Sequence, residues 1–567
     1  MSGARTLAAV VLLCLAVTAG VGATGPDAAV PGDPDATPDG FDAVRPPNES
    51  TETDAPRLVA VFPNPVAEGD AGEHVVASFP EPTAIGSWTV GDDDGTTSLP
   101  NVTVSGRIAF TANPAALPPG ANASVDRVVA VEDFPQLANA GERVALARNG
   151  SRVDTLAYED APEAERWTGT AWVPRGATDL DPARGGPGRV RAFVTPDSAV
   201  PLDSIAAADD RVLLAGYTFT SDRVTDALLA AADRGVSVRV LVDDAPVGGL
   251  SAREVAALDR LQAGGVSVRL LGGEAARYDY HHAKYLVADG RALVLTENWK
   301  PSGTGGHANR GWGVVLNGSE PVAALNRTFH ADWTAHDAGP WLDRRESVDP
   351  VLREPAAGSY PTRLQPATVP VDSTTVLVAP DNAEDSLVSL VAGAESSVRV
   401  EQMSVGGVDT PLVQAAIAAA RNGSRVRFLL SSAWYAEEEN GRVVERLNAI
   451  AEGEGLDMEA RLVDPGDRFE KLHAKGVVVD ERHVVVGSVN WNTNSLHDNR
   501  EVAVVLTGDR VGQYYAEAFD ADWRGGDGGD GGLRPRLLWV AAIAAAALAV
   551  LVCWRRVQFE YEGELQG

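Results

Sequence analysis

The chain has 567 residues, of which 44% are hydrophobic and 22% are charged, and its formal net charge at pH 7 is −31. This length accommodates about three or four domains, and the apolar content supports packed cores, so a wholly disordered protein is excluded. Such an acidic chain without basic stripes also argues against extensive contact with a polyanion.

The acidic residues are spread along the chain, and none of them follows the calcium-loop spacing D-x-D-x-D-G. With abundant Ala, Gly, Val and Asp and very little lysine, the composition resembles that of extreme halophiles, where carboxylates keep proteins hydrated in concentrated salt. We therefore attribute the acidity to the solvent rather than to the substrate. An acidic protein that binds cations is the alternative.

The N-terminus carries the pattern of a secretory signal peptide. An apolar run follows Arg5 and ends in small residues at 21–23. We predict a signal peptide over residues 1–23, with an uncleaved anchor as the alternative. The two cysteines, Cys14 and Cys553, lie in the terminal apolar runs, so the region between them has no disulfide and no cysteine metal site.

The C-terminal region is predicted to cross the membrane once. Residues 537–554 are apolar and flanked by arginines, and as a helix they would span about 27 Å. The glycine-rich residues 526–536 predict a flexible stalk. Because arginines flank both sides equally, the signal peptide sets the orientation, with residues 24–533 outside the cytoplasm and 555–567 inside. This predicts a single-pass protein of the cell membrane.

The region before the main domains divides into a linker and a β-rich module. Residues 24–56 are rich in Pro, Asp, Gly and Thr, which predicts a solvated linker. Residues 57–165 contain short β-type runs, which predict an all-β, immunoglobulin-like sandwich. Its segments VFPNP (61–65), GEHVV (72–76) and GSWT (86–89) resemble the lamin-tail domain. That resemblance implies an accessory module of the kind that accompanies nucleases and other exported enzymes.

The following part of the chain is an internal duplication. The segment AADRGVSVRVLVD recurs as AARNGSRVRFLLS, NRGWGVVL recurs as NREVAVVL, and FHADW recurs as FDADW. The offsets stay between 184 and 192 residues, so each copy is a whole domain. Each copy alternates β-type runs with alanine-rich helical stretches, which predicts α/β domains over residues 190–345 and 370–525.

Each copy contains the pattern His-x-Lys-x-x-x-x-Asp. The members are His282, Lys284 and Asp289 in the first copy and His473, Lys475 and Asp480 in the second. Since the chain has four lysines against forty-four arginines, lysine at both motif positions indicates a requirement for an ammonium group. Strand alternation places each His and Lys on one face. This pairing suits a phosphodiester, because a ring nitrogen can attack or protonate while the cation stabilises the oxyanion.

These motifs, in duplicated α/β domains over about residues 190–525, resemble the two-motif members of the phospholipase D superfamily. The resemblance implies a pocket between the domains that is built from His282, Lys284 and Asn298 with His473, Lys475 and Asn490. One histidine would become a phosphohistidine and the other would act as acid and base, without metal or cofactor. By analogy, His282 is the nucleophile and His473 is the acid/base.

Other residues near the motifs are predicted to play lesser parts. Asp289 and Asp480 complete the candidate catalytic set, but at strand ends they are expected to be structural hydrogen-bonding residues. His281 would point to the opposite strand face and serve in packing.

The two copies differ around the predicted pocket. In the second copy, Ser488 and Glu501 occupy positions expected to bind phosphate or to orient a histidine. The first copy is one residue shorter here, with Glu297 near the former position and Gly311 at the latter. This puts the orientation of the first histidine in question, unless Glu297 substitutes for the missing acid.

Three functions are consistent with these patterns. The first is a surface phospholipase D or phosphatidyltransferase, whose anchor keeps the active site near lipid headgroups. The second is an exported, metal-independent endonuclease. The third is a catalytically decayed binding module. In each case we expect a monomer with an internal pseudo-dimer, and a phospholipid membrane or a nucleic acid as partner.

Overall fold

The computed structural model describes residues 55–525, apart from 66–71, 93–94, 115–116, 118–124, 163–164, 175, 179, 197, 274–275, 305 and 353–357. The predicted signal peptide, stalk, transmembrane helix and cytoplasmic tail, and nearly all of the predicted linker, lie outside the described residues. Within the described part of the chain, no helix has the length and apolar character needed to cross a membrane.

The elements described in the N-terminal part are strands. They are β1 (Arg57–Phe62), β2 (His74–Ala84), β3 (Trp88–Gly91), β4 (Thr96–Ser98), β5 (Thr103–Thr111), β6 (Arg127–Ala130), β7 (Gly141–Arg148), β8 (Ser151–Glu159), β9 (Glu165–Trp167) and β10 (Trp172–Pro174). A six-stranded sheet has the order β10-β9-β1-β2-β5-β6, and a four-stranded sheet has the order β4-β3-β7-β8. Val61 and Phe110 of the first sheet share a core with Trp88 and Val144 of the second. The immunoglobulin-like topology and the lamin-tail resemblance stay predictions.

The first copy of the duplication alternates strands and helices. Its elements are β11 (Ala183–Gly185), β12 (Gly188–Val194), α1 (Val200–Ala206), β13 (Arg211–Gly216), α2 (Asp222–Asp233), β14 (Ser237–Asp243), α3 (Ala252–Ala263), β15 (Ser267–Leu271), β16 (Tyr285–Ala288), β17 (Arg291–Leu295), β18 (Trp312–Leu316), α4 (Ser319–Trp333), β19 (Ala338–Pro340) and α5 (Trp341–Arg344). Helices α2 and α3 begin after Ser221 and Ser251, whose hydroxyls accept the N–H of Val224 and Glu254.

The second copy repeats this order. Its elements are β20 (Ala367–Val371), β21 (Ser373–Ala379), α6 (Ala383–Ala392), β22 (Ser397–Gln402), α7 (Pro411–Arg421), β23 (Arg425–Leu430), α8 (Glu437–Glu454), β24 (Met458–Leu462), β25 (Lys475–Val479), β26 (His483–Gly487), β27 (Glu501–Thr507) and α9 (Asp509–Trp523). Helix α8 ends at Gly455, which takes the left-handed conformation (φ 69°) that glycine adopts without a steric penalty.

Seven strands occur in the same order in the two large sheets, as β12-β18-β17-β16-β13-β14-β15 and β21-β27-β26-β25-β22-β23-β24. In each sheet the last three strands run parallel, and the others pair antiparallel. The helices that join the parallel strands cover the outer sheet faces, which explains why these strands are apolar on both sides. The predicted mixed α/β architecture of the two copies is confirmed.

The two halves share one core. Val314 and Phe329, from β18 and α4, belong to the same buried cluster as Val486 and Phe519, from β26 and α9. The halves also exchange edge strands, since β11 pairs with β21 of the second sheet and β20 pairs with β12 of the first. Each half therefore depends on the other for its edge and its inner face.

Candidate active site

The motif histidines lie in short extended segments just before β16 and β25, and each segment pairs with the other half. The N–H of His282 donates to the carbonyl of Arg500, and the N–H of His473 donates to the carbonyl of Arg310, each at 2.9 Å. These reciprocal bonds bring both motifs to the seam between the two sheets. We use "seam pocket" for the site formed by His282, Lys284, Glu297, His473, Lys475 and Glu501.

A carboxylate from the opposite half holds each imidazole. Nδ1 of His282 lies 2.8 Å from Oε1 of Glu501, and Nδ1 of His473 lies 3.0 Å from Oε1 of Glu297. Because an ionised carboxylate only accepts, Nδ1 carries the proton and the ring lone pair resides on Nε2. Both rings therefore present a nucleophilic or basic nitrogen away from their carboxylates.

This crossing corrects the expectation that the first histidine lacks an acid. Glu501 serves the histidine of the first copy, while Gly311, its counterpart in the first copy, leaves room for Glu297 to serve the histidine of the second. A Cβ atom at Gly311 would overlap Cγ of Glu297. Glycine at position 311 thus provides the space that the side chain of Glu297 occupies.

The strand register also shows that the one-residue difference between the copies does not fall at Ser488, where the sequence placed it. Thr296 Oγ1 accepts the N–H of Trp312 at 2.9 Å, as Ser488 Oγ accepts the N–H of Val502 at 3.0 Å. The hydroxyl expected to be lost is therefore retained. The length difference falls in the turn after each motif, which has two residues in the first copy and three in the second. Burial acts first to raise the pKa of Glu501, but the charge and the hydrogen bond of His282 outweigh burial and lower that pKa, and Lys284 and Ser488 add to this effect.

An asparagine supports each orienting acid. Nδ2 of Asn499 donates to Glu501 at 3.1 Å, and Nδ2 of Asn309 donates to Glu297 at 3.0 Å. Neither Asn309 nor Asn499 was predicted from the sequence as a site residue. The available signal was the Asn-Arg dipeptide, which occurs in both copies of the repeat.

A buried ion pair crosses the seam beside each acid. Arg500 contacts Asp332 of the first half at 3.0 Å and Asp381 at 2.8 Å. Arg310 contacts Asp522 of the second half at 2.6 Å. The two aspartates Asp332 and Asp522 belong to the repeated FHADW and FDADW segments, whose role the sequence alone did not reveal. Since each arginine also supplies the carbonyl that binds a motif histidine, these ion pairs fix the backbone of the pocket.

The motif lysines are fully buried beside their histidines. Nζ of Lys475 donates to the carbonyl of His473 at 2.9 Å and lies 3.3 Å from its Nδ1, and Nζ of Lys284 donates to the carbonyl of His282. Burial lowers the pKa of Lys284 well below its usual range and that of Lys475 to about 8, although Glu297 and Glu501 raise the latter. An anion bound in the pocket would oppose this effect, because it stabilises the charged form of both lysines.

All four lysines of the chain act on this one pocket. The charge of Lys300 lowers the pKa of both motif lysines, and the charge of Lys471 lowers the pKa of Lys475. In a chain of net charge −31, this concentration of ammonium groups marks the pocket as an anion site.

Both motif imidazoles are neutral near pH 7 before substrate binds. Burial lowers the pKa of His282 to about 4, outweighing the carboxylate of Glu501, which raises it. Burial and the charge of Lys475 lower the pKa of His473 to about 3. A phosphate anion in the pocket would raise both pKa values and allow one ring to carry a proton.

The two predicted phosphate-binding asparagines occupy equivalent positions. Asn298 and Asn490 are both buried, and in the described part of the chain the Oδ1 atom of each has no hydrogen-bond partner. Because rotation of the amide about the Cβ–Cγ bond exchanges its oxygen and its NH2 group, each asparagine can also present an N–H donor at this position. These unsatisfied amides are suited to an anionic ligand.

The remaining predicted residues lie outside the pocket. Asp289 and Asp480 sit at the far ends of their strands and accept backbone N–H groups of residues 209–211 and 395–397. Burial acts to raise their pKa, but these bonds outweigh it and lower the pKa. Both aspartates therefore bind backbone at the ends of their strands, away from the imidazoles of the pocket. His281 faces the interior, and its N–H donates to Asp243 at 2.6 Å.

One wall of the pocket was not predicted. The ring of Tyr217 lies 4.8 Å from the ring of His282, and Nζ of Lys284 lies 5.3 Å from the Tyr217 centroid. Tyr217 follows β13, a position at which the sequence shows no repeat.

One His-Lys pair from each half of the duplicated α/β fold lies at the seam. Residues 202–333 and 387–523 match the family model described as cardiolipin synthase, PLD-like domain. Residues 202–333 and 387–523 therefore carry two PLD-like domains, which confirms that part of the sequence-based resemblance.

Relatives cover the chain only in part. A segment of 60 residues is 33% identical to mitochondrial cardiolipin hydrolase of Homo sapiens, covering 11% of this chain and 22% of that protein. Phosphatidylserine synthase of Haemophilus influenzae is 17% identical, with a TM-score of 0.45, over 59% of this chain and 86% of that chain. The phospholipase D family member Nuc of Salmonella typhimurium is 20% identical, with a TM-score of 0.24, over 27% and 97%.

Proposed function

We propose that this protein cleaves or exchanges phosphodiester bonds of phospholipid headgroups through a covalent phosphohistidine. The observation that supports this most is the reciprocal arrangement at the seam, where each imidazole is held at Nδ1 by a carboxylate of the other half. Such an arrangement leaves two Nε2 atoms beside buried ammonium groups, which is what a two-step displacement at phosphorus requires.

In the proposed first step, Nε2 of His282 attacks phosphorus and the bond from phosphorus to the headgroup or lipid alcohol breaks. His473 gives its proton to the departing oxygen. Lys284, Lys475 and the two amides bind the non-bridging oxygens and stabilise the developing charge. In the second step, His473 takes a proton from water or an alcohol, which attacks phosphorus as the nitrogen–phosphorus bond breaks.

Burial supports this scheme at neutral pH. The lowered pKa of His282 keeps it a free nucleophile, and the charge of an incoming phosphate would supply the proton affinity that His473 needs as an acid. The intact pair of His473 and Glu297 argues against the third hypothesis, a decayed binding module, because both histidines retain their orienting acids.

A phospholipid substrate is favoured by the family match, which is named for cardiolipin synthase, and by the relative named as a cardiolipin hydrolase. The predicted transmembrane helix and exported orientation would place the pocket near the extracytoplasmic face of the cell membrane. The β-rich module would be an accessory domain. These locations remain part of the proposal, and the endonuclease is the alternative outcome of its test.

The test uses the full-length chain in vesicles that contain a phosphatidylglycerol and a cardiolipin, with a chelator present. We expect headgroup release or exchange, and we expect it to disappear in the His473→Ala variant. Plasmid nicking by the same preparation, without lipid turnover, would replace the proposal with the endonuclease. Full lipid turnover by His473→Ala would exclude the proposed chemistry.

A further inference from the structure

The mouth of the seam pocket carries an unusual share of the exposed apolar side chains. The described residues include six large hydrophobic side chains classed as exposed: Val153, Val247, Leu342, Leu352, Trp434 and Tyr435. Three of them lie in the loops after β14 and β23, equivalent strands of the two halves. Leu352 follows Val351, which pairs with Ser251 at the end of the loop after β14. We call Val247, Leu352, Trp434 and Tyr435 the apolar rim.

The second-half side of the rim joins the pocket through aromatic contacts. Trp434 is 88% exposed and meets Tyr435 edge-on, with ring centroids 5.6 Å apart. Nζ of Lys471 lies 5.1 Å from the Tyr435 centroid. The carbonyl of Lys471 accepts the N–H of Arg310 at 2.9 Å, and Lys471 lies two residues before His473. Tyr435 therefore contacts the segment that leads to the motif histidine of the second half.

The first-half side joins the pocket in the same way. Val247 is 67% exposed, and its N–H donates to the hydroxyl of Tyr217 at 2.6 Å. Tyr217 in turn contacts the ring of His282. Leu352, which is 92% exposed, extends this side, since Val351 pairs with Ser251 at the end of the same loop. The rim thus flanks the pocket from both halves.

We propose that the apolar rim is a membrane-contact surface that inserts into the headgroup boundary of a lipid bilayer and delivers a lipid phosphate to the pocket. This inference rests on the proposed function and names the partner of that site. An exposed indole, a tyrosine and a lysine on one side of the pocket, with exposed aliphatic side chains on the other, form the combination that partitions into a bilayer interface. Isolated exposed apolar residues are ordinary, but a cluster around a pocket marks an interaction site.

The composition of the rim favours a bilayer over a nucleic acid strand. Trp434 and Tyr435 could stack on bases, but Val247 and Leu352, on the other side, have no π-face and no charge. Aliphatic side chains gain free energy by entering acyl chains. Lysines of the pocket bring positive charge to this face of an otherwise acidic chain, which complements lipid phosphates.

The first experiment compares one reaction on two substrates. Full-length wild-type protein, Trp434→Ala and the control Val153→Ala, an exposed valine of β8 in the N-terminal sheets, are assayed on phospholipid vesicles and on soluble bis(p-nitrophenyl) phosphate. We expect Trp434→Ala to lose about tenfold on vesicles and nothing on the soluble ester, because insertion and chemistry are separate. Unchanged vesicle turnover, or equal loss on both substrates, would overturn the proposal.

A second measurement does not depend on turnover. With Cys14 and Cys553 changed to serine, an introduced cysteine is the single thiol of the chain. A fluorescent probe at Trp434→Cys should be quenched several-fold more by nitroxide lipids than a probe at Arg291→Cys, the first residue of β17, just after the turn at the far end of β16. Equal quenching would exclude the rim. If wild-type protein cleaves neither substrate, the proposed function fails while this comparison still tests membrane contact.

Discussion

The two halves of the duplication reach the same pocket geometry by different residues. In the second half, the orienting acid is Glu501, the first residue of β27. In the first half, the position before β18 is Gly311, and the acid is Glu297, just beyond β17. Both carboxylates nevertheless lie about one hydrogen bond from Nδ1 of the opposite histidine. The comparison teaches that the pocket requires a carboxylate at a point in space, and that two strand positions can supply it.

The halves also differ in how strongly their crossing arginines are bound. Arg500 meets two buried aspartates, Asp332 and Asp381, whereas Arg310 meets Asp522 alone. Asp522 has a second partner, Arg468, at 2.7 Å, and Asp332 has a second partner, Arg277, at 3.4 Å. Loss of Arg500 therefore leaves Asp381 without an ion pair among the described residues, whereas loss of Arg310 leaves Asp522 bound to Arg468.

The largest expected difference concerns the two histidines. On an alkyl phosphodiester, both His282→Ala and His473→Ala should lose about 10³-fold or more, because one removes the nucleophile and the other the acid. On a p-nitrophenyl ester, whose leaving group needs no proton, His473→Ala should still release a stoichiometric burst of p-nitrophenol. His282→Ala should show no burst. A burst from His282→Ala alone would reverse the assignment of roles.

The next effect concerns stability at the two crossings. Arg500→Leu should lower the free energy of unfolding by about 3–5 kcal/mol, since it leaves the buried carboxylate of Asp381 without an ion pair. Arg310→Leu should cost less, because Arg468 still binds Asp522. Chemical denaturation followed by tryptophan fluorescence measures both, with the exposed Arg442→Leu as a control within about 0.5 kcal/mol of wild type. Equal losses at the two crossings would contradict the comparison.

A transfer of the acid tests the equivalence of the two strand positions. Glu297→Val should lower kcat about 100-fold, because His473 loses the carboxylate that sets its tautomer. Adding Gly311→Glu and Thr296→Ser recreates the second-half arrangement and should recover at least about tenfold of that loss. The single variant Gly311→Glu should also have a lowered kcat, since the new side chain overlaps Glu297. No recovery in the triple variant would show that the two positions are not interchangeable.

The smallest expected effect is a shift of the alkaline limb of the pH profile. Lys475 has its pKa lowered to about 8 by burial, so kcat/KM should fall as the pH rises past that value and the ammonium group loses its charge. Glu297 is the largest charge that raises this pKa, and Glu501 is the next. Residual activity of Glu297→Gln should therefore decline at a lower pH than that of Glu501→Gln. An unmoved limb would assign it to another group.

Much of the fold follows from local pattern and repetition. The five β-type runs of the N-terminal region fall on β1, β2, β3, β5 and β7, and the repeated segment VSVRVLVD falls on β14. Strand periodicity and self-similarity are properties of neighbouring residues and of the offset between copies, so the chain displays them before it folds. The His-Lys motifs were found for the same reason, and the scarcity of lysine isolated them further.

The partners of those motifs were beyond this kind of inference. Strand alternation indicates the face of a side chain but not which half it meets, so Glu501 was expected to serve a histidine without a choice of copy. Only the packed seam shows that it serves His282 and that Glu297 serves His473. The apolar rim could not be predicted for the same reason. Val247 and Trp434 are far apart in sequence, and only the folded chain brings the loops after β14 and β23 to the same pocket.

What the sequence determined by itself was the set of reactive groups, the duplication that carries them and the mixed α/β character of each copy. What only the tertiary structure decided was the pairing across the seam: which acid holds which histidine, which arginine binds which aspartate, and which strand closes which sheet. The physical reason is that periodicity is a local property of the chain, whereas a hydrogen bond between halves exists only once a shared core has brought distant segments together.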